Sequence, residues 1–346
     1  MARTLRDVVV LAALAAAAVG YDRRDRNHAA RDASERHVIL VVSDGLRWQE
    51  VFRGADSLLV AGHPAAHRTY WRPTLDERRR ALMPFVWSRL AAKGVLFGNR
   101  DAGSRVFVTN GLNFSYPGYN ELLVGYPDPR IDRNDYGPNP NVTVFEWISR
   151  REEFRERVAV AGAWDSFADI FNRQRSGLPM HASRREPLDR MTHEAALYFL
   201  KTRRPRALFV AYVETDDHAH SGRYDRTLDA AHAVDSYLAA LWDAVQSDQR
   251  YRGRTTLIFT ADHGRGRTAT DWTSHGQDVA GADEVFVAML GPGVSPHGEW
   301  RGGTALAQSQ VAATVAAALG LDYRRDVPRA ATALEIAKRP PIAERH

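Results

Sequence analysis

The chain has 346 residues, 44% of them apolar and 26% charged, enough apolar side chain for one large core or two modest ones and too much for wholesale disorder. Basic residues outnumber acidic ones by 47 to 42, a net charge of +5, yet only Lys93, Lys201 and Lys338 are lysines and the arginines are scattered among acids; no nucleic-acid-binding stripe is expected. Cysteine is absent, which excludes disulfides, thiolate metal sites and a cysteine nucleophile, so any metal must be held by carboxylates and by some of the 13 histidines.

Residues 1–7 carry Arg3 and Arg6, residues 8–20 are small and apolar, and a charged stretch follows at once. This pattern predicts a secretory signal with a polar leader over 1–34, and hence an exported protein, periplasmic or secreted. The apolar run is shorter than the roughly 20 residues that span a bilayer, and no other segment approaches that length. Residues 37–43, 157–163, 207–213, 255–260 and 284–290 are apolar runs rich in β-branched residues, as expected of strands buried on both faces. Between them lie helical patterns. Residues 187–202 begin with Pro187 in a first turn and place Leu188, Met191, Ala195, Tyr198 and Phe199 on one face. Residues 224–245 form a longer amphipathic run, and 306–319 are Ala-rich and end at Gly320. Strands alternating with helices predict an α/β layered domain over 35–325 with a mostly parallel central sheet and helices on both faces. A C-terminal tail, Pro-rich at 338–341, is expected over 326–346.

In such sheets functional groups collect beyond the carboxyl ends of the strands. The first strand is followed by Asp44-Gly45, the third by Glu214-Thr-Asp216-Asp217-His218-Ala-His220, and the fourth by Asp262-His263-Gly264; Ser274-His275-Gly276 precedes the fifth. One Asp after a strand is commonly a helix cap; three such ends with a flanking His are a pattern. Asp216 and His220, four apart, share one side of a helical turn, and with His275 they make a common zinc set. Asp44, Asp262 and His263 supply two carboxylates and an imidazole for a second ion. A pair of ions about 4 Å apart can neutralise both the attacking and the leaving oxygen of a phosphoryl displacement.

The nucleophile is expected in Asn113-Phe-Ser115-Tyr-Pro117-Gly-Tyr-Asn-Glu121, where Pro117 fits a first turn and Gly125 a helix end. Ser115 would then stand at a helix N-terminus, which favours an anion, and a divalent ion beside its hydroxyl removes the need for a histidine base. As an isolated residue, Ser115 would be an ordinary N-cap. Trp164, Tyr116 and Tyr119 offer either stacking surfaces for a nucleobase or aryl group, or core packing. Arg130 and Arg265 lie near the motifs.

In order and spacing these motifs resemble the alkaline phosphatase superfamily, in particular its nucleotide pyrophosphatase/phosphodiesterase-like branch. The chain shows Asp44, Ser115-Tyr-Pro117, Asp216-x-x-x-His220, Asp262-His263-Gly264 and His275 in turn, and the resemblance covers about residues 37–322. It implies the alkaline-phosphatase-like α/β fold and two divalent ions, zinc above others. One ion would be held by Asp216, His220 and His275, the other by Asp44, Asp262, His263 and the Ser115 oxygen. It implies an Asn on a phosphoryl oxygen, Asn134 first by spacing and Asn141 second, and makes His218 a bystander. The implied activity is metal-dependent hydrolysis of a small-molecule phosphoester, monoester or diester, through Ser115; the oligomeric state stays open. Sulfatases of the superfamily carry Arg where this chain has Tyr119, which argues against sulfate esters, and the large inserted domain of the phosphoglycerate mutases does not fit this length. A phosphotransferase or mutase on the same centre, or a non-catalytic metal-binding protein, are the alternatives.

Overall fold

The computed structural model describes residues 35–184 and 188–334; the predicted signal and leader, Pro187 and the Pro-rich end lie outside them. The first apolar run is β1 (His37–Ser43), buried along its whole length. Strands β2 (Val95–Phe97), β3 (Val106–Phe107), β4 (Val158–Gly162), β5 (Met180–Ala182), β6 (Ala207–Tyr212) and β7 (Thr255–Thr260) follow. The last are β8 (Glu284–Val285), β9 (Val287–Leu290), β10 (Gly298–Glu299) and β11 (Leu306–Ala307). Eight of them form one sheet in the order β10-β2-β9-β7-β1-β6-β4-β5; a small second sheet runs β11-β3-β8.

The centre of the large sheet is parallel. β1 pairs with β6 on one side, Ser43 opposite Tyr212, and with β7 on the other, Val42 opposite Thr260. β4 and β5 continue the parallel run, whereas β9 runs antiparallel between β7 and β2. The strands are apolar on both faces because helices cover both: Leu40, Val41, Phe209, Val210, Ile258 and Phe259 are fully buried.

The run 284–290 departs from the expected single strand. It breaks at Phe286, so that Glu284–Val285 joins the small sheet and Val287–Leu290 the large one. The Ala-rich helix is Gln310–Ala318 rather than 306–319, since Leu306–Ala307 pairs with β3. Helices Leu188–Thr202 and Tyr224–Ser247 form where their amphipathic patterns lie. Of the residues assigned to the tail, 326–334 pack against the domain: Ala330 and Leu334 are buried, Ala331 N donates to Gly125 O at 2.8 Å, and Leu334 N donates to Thr314 Oγ1 at 2.9 Å. Among the described residues no helix is long and apolar enough to cross a membrane.

Candidate metal centre

Because β7, β1 and β6 are parallel neighbours in register, their carboxyl ends open side by side, and the acidic segments after them meet. Asp44 follows β1 directly, its backbone N–H bonded to Tyr212 O at 2.8 Å. Gly45, at φ +58°, then turns the chain: a β carbon there would collide with the Asp216 carboxylate and lie 2.9 Å from Arg265 Nε. Its N–H instead donates to Asp262 Oδ1 at 3.1 Å.

Asp216 and His220 sit on the helix Glu214–His220. The buried Asp189 carboxylate holds its entry, accepting from Val213 N at 2.7 Å and Glu214 N at 3.2 Å. Thr215 Oγ1 donates to Asp44 O at 2.6 Å and ties this helix to β1. The i, i+4 spacing brings His220 Nε2 to 3.2 Å from Asp216 Oδ2, and His220 Nε2 lies 2.9 Å from His275 Nε2. His263 Nδ1 donates to Gly264 O at 2.9 Å, which leaves Nε2 as the lone-pair nitrogen. That Nε2 is 3.3 Å from Asp44 Oδ1, 3.6 Å from Asp262 Oδ2 and 3.8 Å from Asp216 Oδ1. The His275 ring lies 4.1 Å, centre to centre, from that of His263.

Ser115 is the first residue of the helix Ser115–Val124, and Phe114, not Ser115, is its cap. The serine hydroxyl points at the acids, 3.5 Å from Asp44 Oδ1 and 3.4 Å from His263 Nε2. The helix reaches that position because Gly118 lets its backbone lie directly on Asp262; a β carbon there would be 2.5 Å from Asp262 O. Asn113, at φ +57°, precedes it, and Asn113 O accepts from Gly276 N at 3.1 Å, joining the serine loop to the His275 loop.

The seven candidate residues therefore lie close together. The atoms of Asp44, Asp262 and His263 form one group within 4.8 Å, and those of Asp216, His263 and His275 a second. Asn134 Oδ1 accepts from Tyr116 N at 2.9 Å, in the first turn of the serine helix. The Asn141 amide is committed to Asn120, at 3.2 Å, and Asp128, at 2.8 Å. His218 and His220 belong to neither group; beside Asp216 and His275 the group holds His263 where His220 was expected.

Three aromatics and two arginines take positions that the sequence left open. Tyr116 and Tyr119 are fully buried and offer no stacking face; Tyr116 donates to Gly137 O and Tyr119 to Asp44 Oδ2, at 2.6 and 3.1 Å. Trp164 packs edge-on against Phe167. Arg130 is a surface charge paired with Asp128. Arg265 is only 1% exposed and grips the Asp216 carboxylate.

The electrostatics suit cations. Burial, reinforced by Asp216, pushes the Asp44 carboxyl well above its usual range, and burial with Asp44 does the same to Asp262. Burial also opposes ionisation of Asp216, but Arg265, His220 and His263 outweigh it and hold that carboxyl below the ordinary value. Burial and His263 push His275 down to about 2, so its imidazole is neutral. Asp262 Oδ2 has no hydrogen-bond donor, and His220 Nε2 and His275 Nε2 lie 2.9 Å apart. Buried acids clustered with imidazoles fit divalent ions.

Residues 183–323 match the family model of the Metalloenzyme superfamily. A sequence search of curated proteins gave no match. Solved structures with the same fold include murine ectonucleotide pyrophosphatase/phosphodiesterase 5 in complex with AMP, 12% identical, covering 83% of this chain and 96% of that one with a TM-score of 0.55. The phosphonate monoester hydrolase of Agrobacterium radiobacter is 14% identical over 83% of this chain and 74% of its own, TM-score 0.52. A 2-O GAG sulfatase is 15% identical over 83% and 71%, TM-score 0.54. Over residues 183–323 the chain is thus similar to the Metalloenzyme superfamily, and its acidic strand ends supply Asp/His groups that could hold divalent ions.

Proposed function

We propose that this protein is an exported phosphoester hydrolase working through Ser115 and two divalent ions, zinc foremost. Asp216, His220 and His275 would hold one ion; Asp44, Asp262, His263 and the Ser115 oxygen would hold the other. The ions, when bound, supply Lewis-acid stabilisation of the oxygens that gain charge in the displacement. The observation that carries the reading is the Ser115 hydroxyl, which faces Asp44 Oδ1 and His263 Nε2 instead of capping its own helix.

In this reading Ser115 Oγ forms a bond to phosphorus as the bond to the alcohol leaving group breaks, and water later releases phosphate from the serine. The serine's place at a helix N-terminus favours the anionic phosphoryl group. Asn134, fixed through its Oδ1 on Tyr116 N, presents its amide N–H to a phosphoryl oxygen. Tyr119 restrains Asp44 from within the same helix and fills the position where sulfatases carry Arg, which favours phosphate over sulfate esters. The test is Ser115→Ala in the metal-loaded protein: nitrophenyl phosphate and bis-nitrophenyl phosphate turnover should vanish while metal content stays. Unchanged turnover would overturn the assignment.

A further inference from the structure

Among the described residues Arg265 is the one arginine buried against this acidic cluster, and the sequence placed it only near the motifs. Its guanidinium forks between two segments of the site. Nη2 bonds the Asp216 carboxylate through Oδ1 and lies 3.2 Å from Asp216 O, while Nη1 donates to Thr273 O at 2.5 Å, two residues before His275. Nε is buried without a hydrogen-bond acceptor and sits against Gly45. An arginine in this state has exchanged its hydration for the Asp216 carboxylate and two backbone carbonyls.

That placement has two effects. It orients Asp216, leaving Oδ2, the oxygen 3.2 Å from His220 Nε2, as the atom free to face an ion. It also changes the charge of the centre. Asp44, Asp216 and Asp262 bring three negative charges; two divalent ions alone would leave the centre at one positive charge, and Arg265 adds another.

We propose that Arg265 is a specificity-determining residue, the fixed cation that makes the loaded centre prefer a dianionic phosphoryl group, as in a monoester, over the monoanion of a diester. This rests on the proposed phosphoester hydrolase reading. A phosphate monoester carries nearly two charges at neutral pH and a diester one. Ser115 Oγ is 3.4 Å from His263 Nε2, which is 3.8 Å from the Asp216 oxygen that Arg265 holds, so the guanidinium lies within about 10 Å of the reacting group. At an effective dielectric of about 20, a fixed charge at that range separates a dianion from a monoanion by roughly tenfold.

The experiment compares wild type, Arg265→Gln and Arg265→Lys, each loaded with zinc, with metal content measured per chain. Calorimetry gives the affinity for inorganic phosphate at pH 8 and for dimethyl phosphate; rates on nitrophenyl phosphate and bis-nitrophenyl phosphate run alongside. Arg265→Gln should keep its metal and lose about tenfold more affinity for phosphate than for dimethyl phosphate, while Arg265→Lys keeps most of the preference. Equal weakening of both anions in Arg265→Gln, or an unchanged ratio, overturns the proposal. If Arg265→Gln does not fold, a folded, metal-replete Arg265→Lys that has lost the phosphate preference overturns it, and one that retains it supports it. Wild type that binds phosphate but turns over neither ester would sink the hydrolase reading, while the affinity ratios still decide the role of Arg265.

Discussion

Replacing Gly118 by Ala sets two physical effects against each other. Gly118 lies inside the helix Ser115–Val124, where helix propensity alone predicts that Ala stabilises by about 1 kcal/mol. The packing predicts the opposite. The added carbon would sit 2.5 Å from Asp262 O and 3.1 Å from the carbonyl carbon, so the helix must retreat roughly 0.9 Å to reach the 3.4 Å at which ordinary contact begins. The obstacle is backbone that leads into the proposed ligands Asp262 and His263, and Gln308 Nε2 holds Gly118 O at 2.8 Å from another side. Overpacking of this kind costs about 1–3 kcal/mol, which leaves a net destabilisation of up to about 2 kcal/mol once propensity is counted. The same retreat carries Ser115 away from Asp44 and His263, and a misplacement near 1 Å costs about 100-fold in rate. Urea unfolding and nitrophenyl phosphate turnover, measured on metal-loaded protein, read the two effects separately. A Gly118→Ala protein that is more stable than wild type and equally active would refute the claim that helix contact with the Asp262 backbone positions the serine.

Removing metal with a chelator should abolish turnover reversibly, and zinc should restore it better than magnesium because three of the proposed ligands are imidazoles; equal rescue by magnesium would contradict that ligand set. Asp189→Ala leaves the N–H groups of Val213 and Glu214 without their acceptor; it should destabilise by about 2–4 kcal/mol and weaken metal binding through the helix bearing Asp216 and His220, with Asp189→Asn in between. Burial lowers the His193 imidazole to about 4. Since the unfolded chain takes up that proton near 6.5 and the folded one near 4, the stability from His193 is present above 6.5 and lost as pH falls through 4. Unfolding free energies from urea titrations at pH 7 and 4.5 should therefore differ by about 2 kcal/mol less in His193→Gln than in wild type.

The parts of this architecture legible in the sequence are those whose environment is uniform along the chain. Residues 37–43 and 255–260 read as strands with their observed limits because burial on both faces demands an unbroken apolar run. The two-residue strands Val106–Phe107 and Leu306–Ala307 leave no such mark: they are strands because Val106–Phe107 pairs with Leu306–Ala307 and with Glu284–Val285 across nearly two hundred residues. The same holds inside 284–290, where partners in two different sheets, not any local signal, break the run at Phe286.

The site divides along similar lines. Asp44, Asp216 and Asp262 were recoverable because parallel neighbouring strands end together, so residues just beyond the ends are neighbours whatever the separation in sequence. Tyr119 carried a usable signal, since it stands four residues after Ser115 and so shares that residue's helix face; its phenol accordingly turns to Asp44. Arg265 carried none. Beside Asp262-His263-Gly264 it reads as one more of many arginines, and only the turn at Gly45, which leaves room against its Nε, and the Thr273 carbonyl that receives its Nη1 make it an interior cation. Ligands are set by where strands end, but the charge that balances them is set by which neighbour is left room to turn inward, and that is decided by packing from three separate segments.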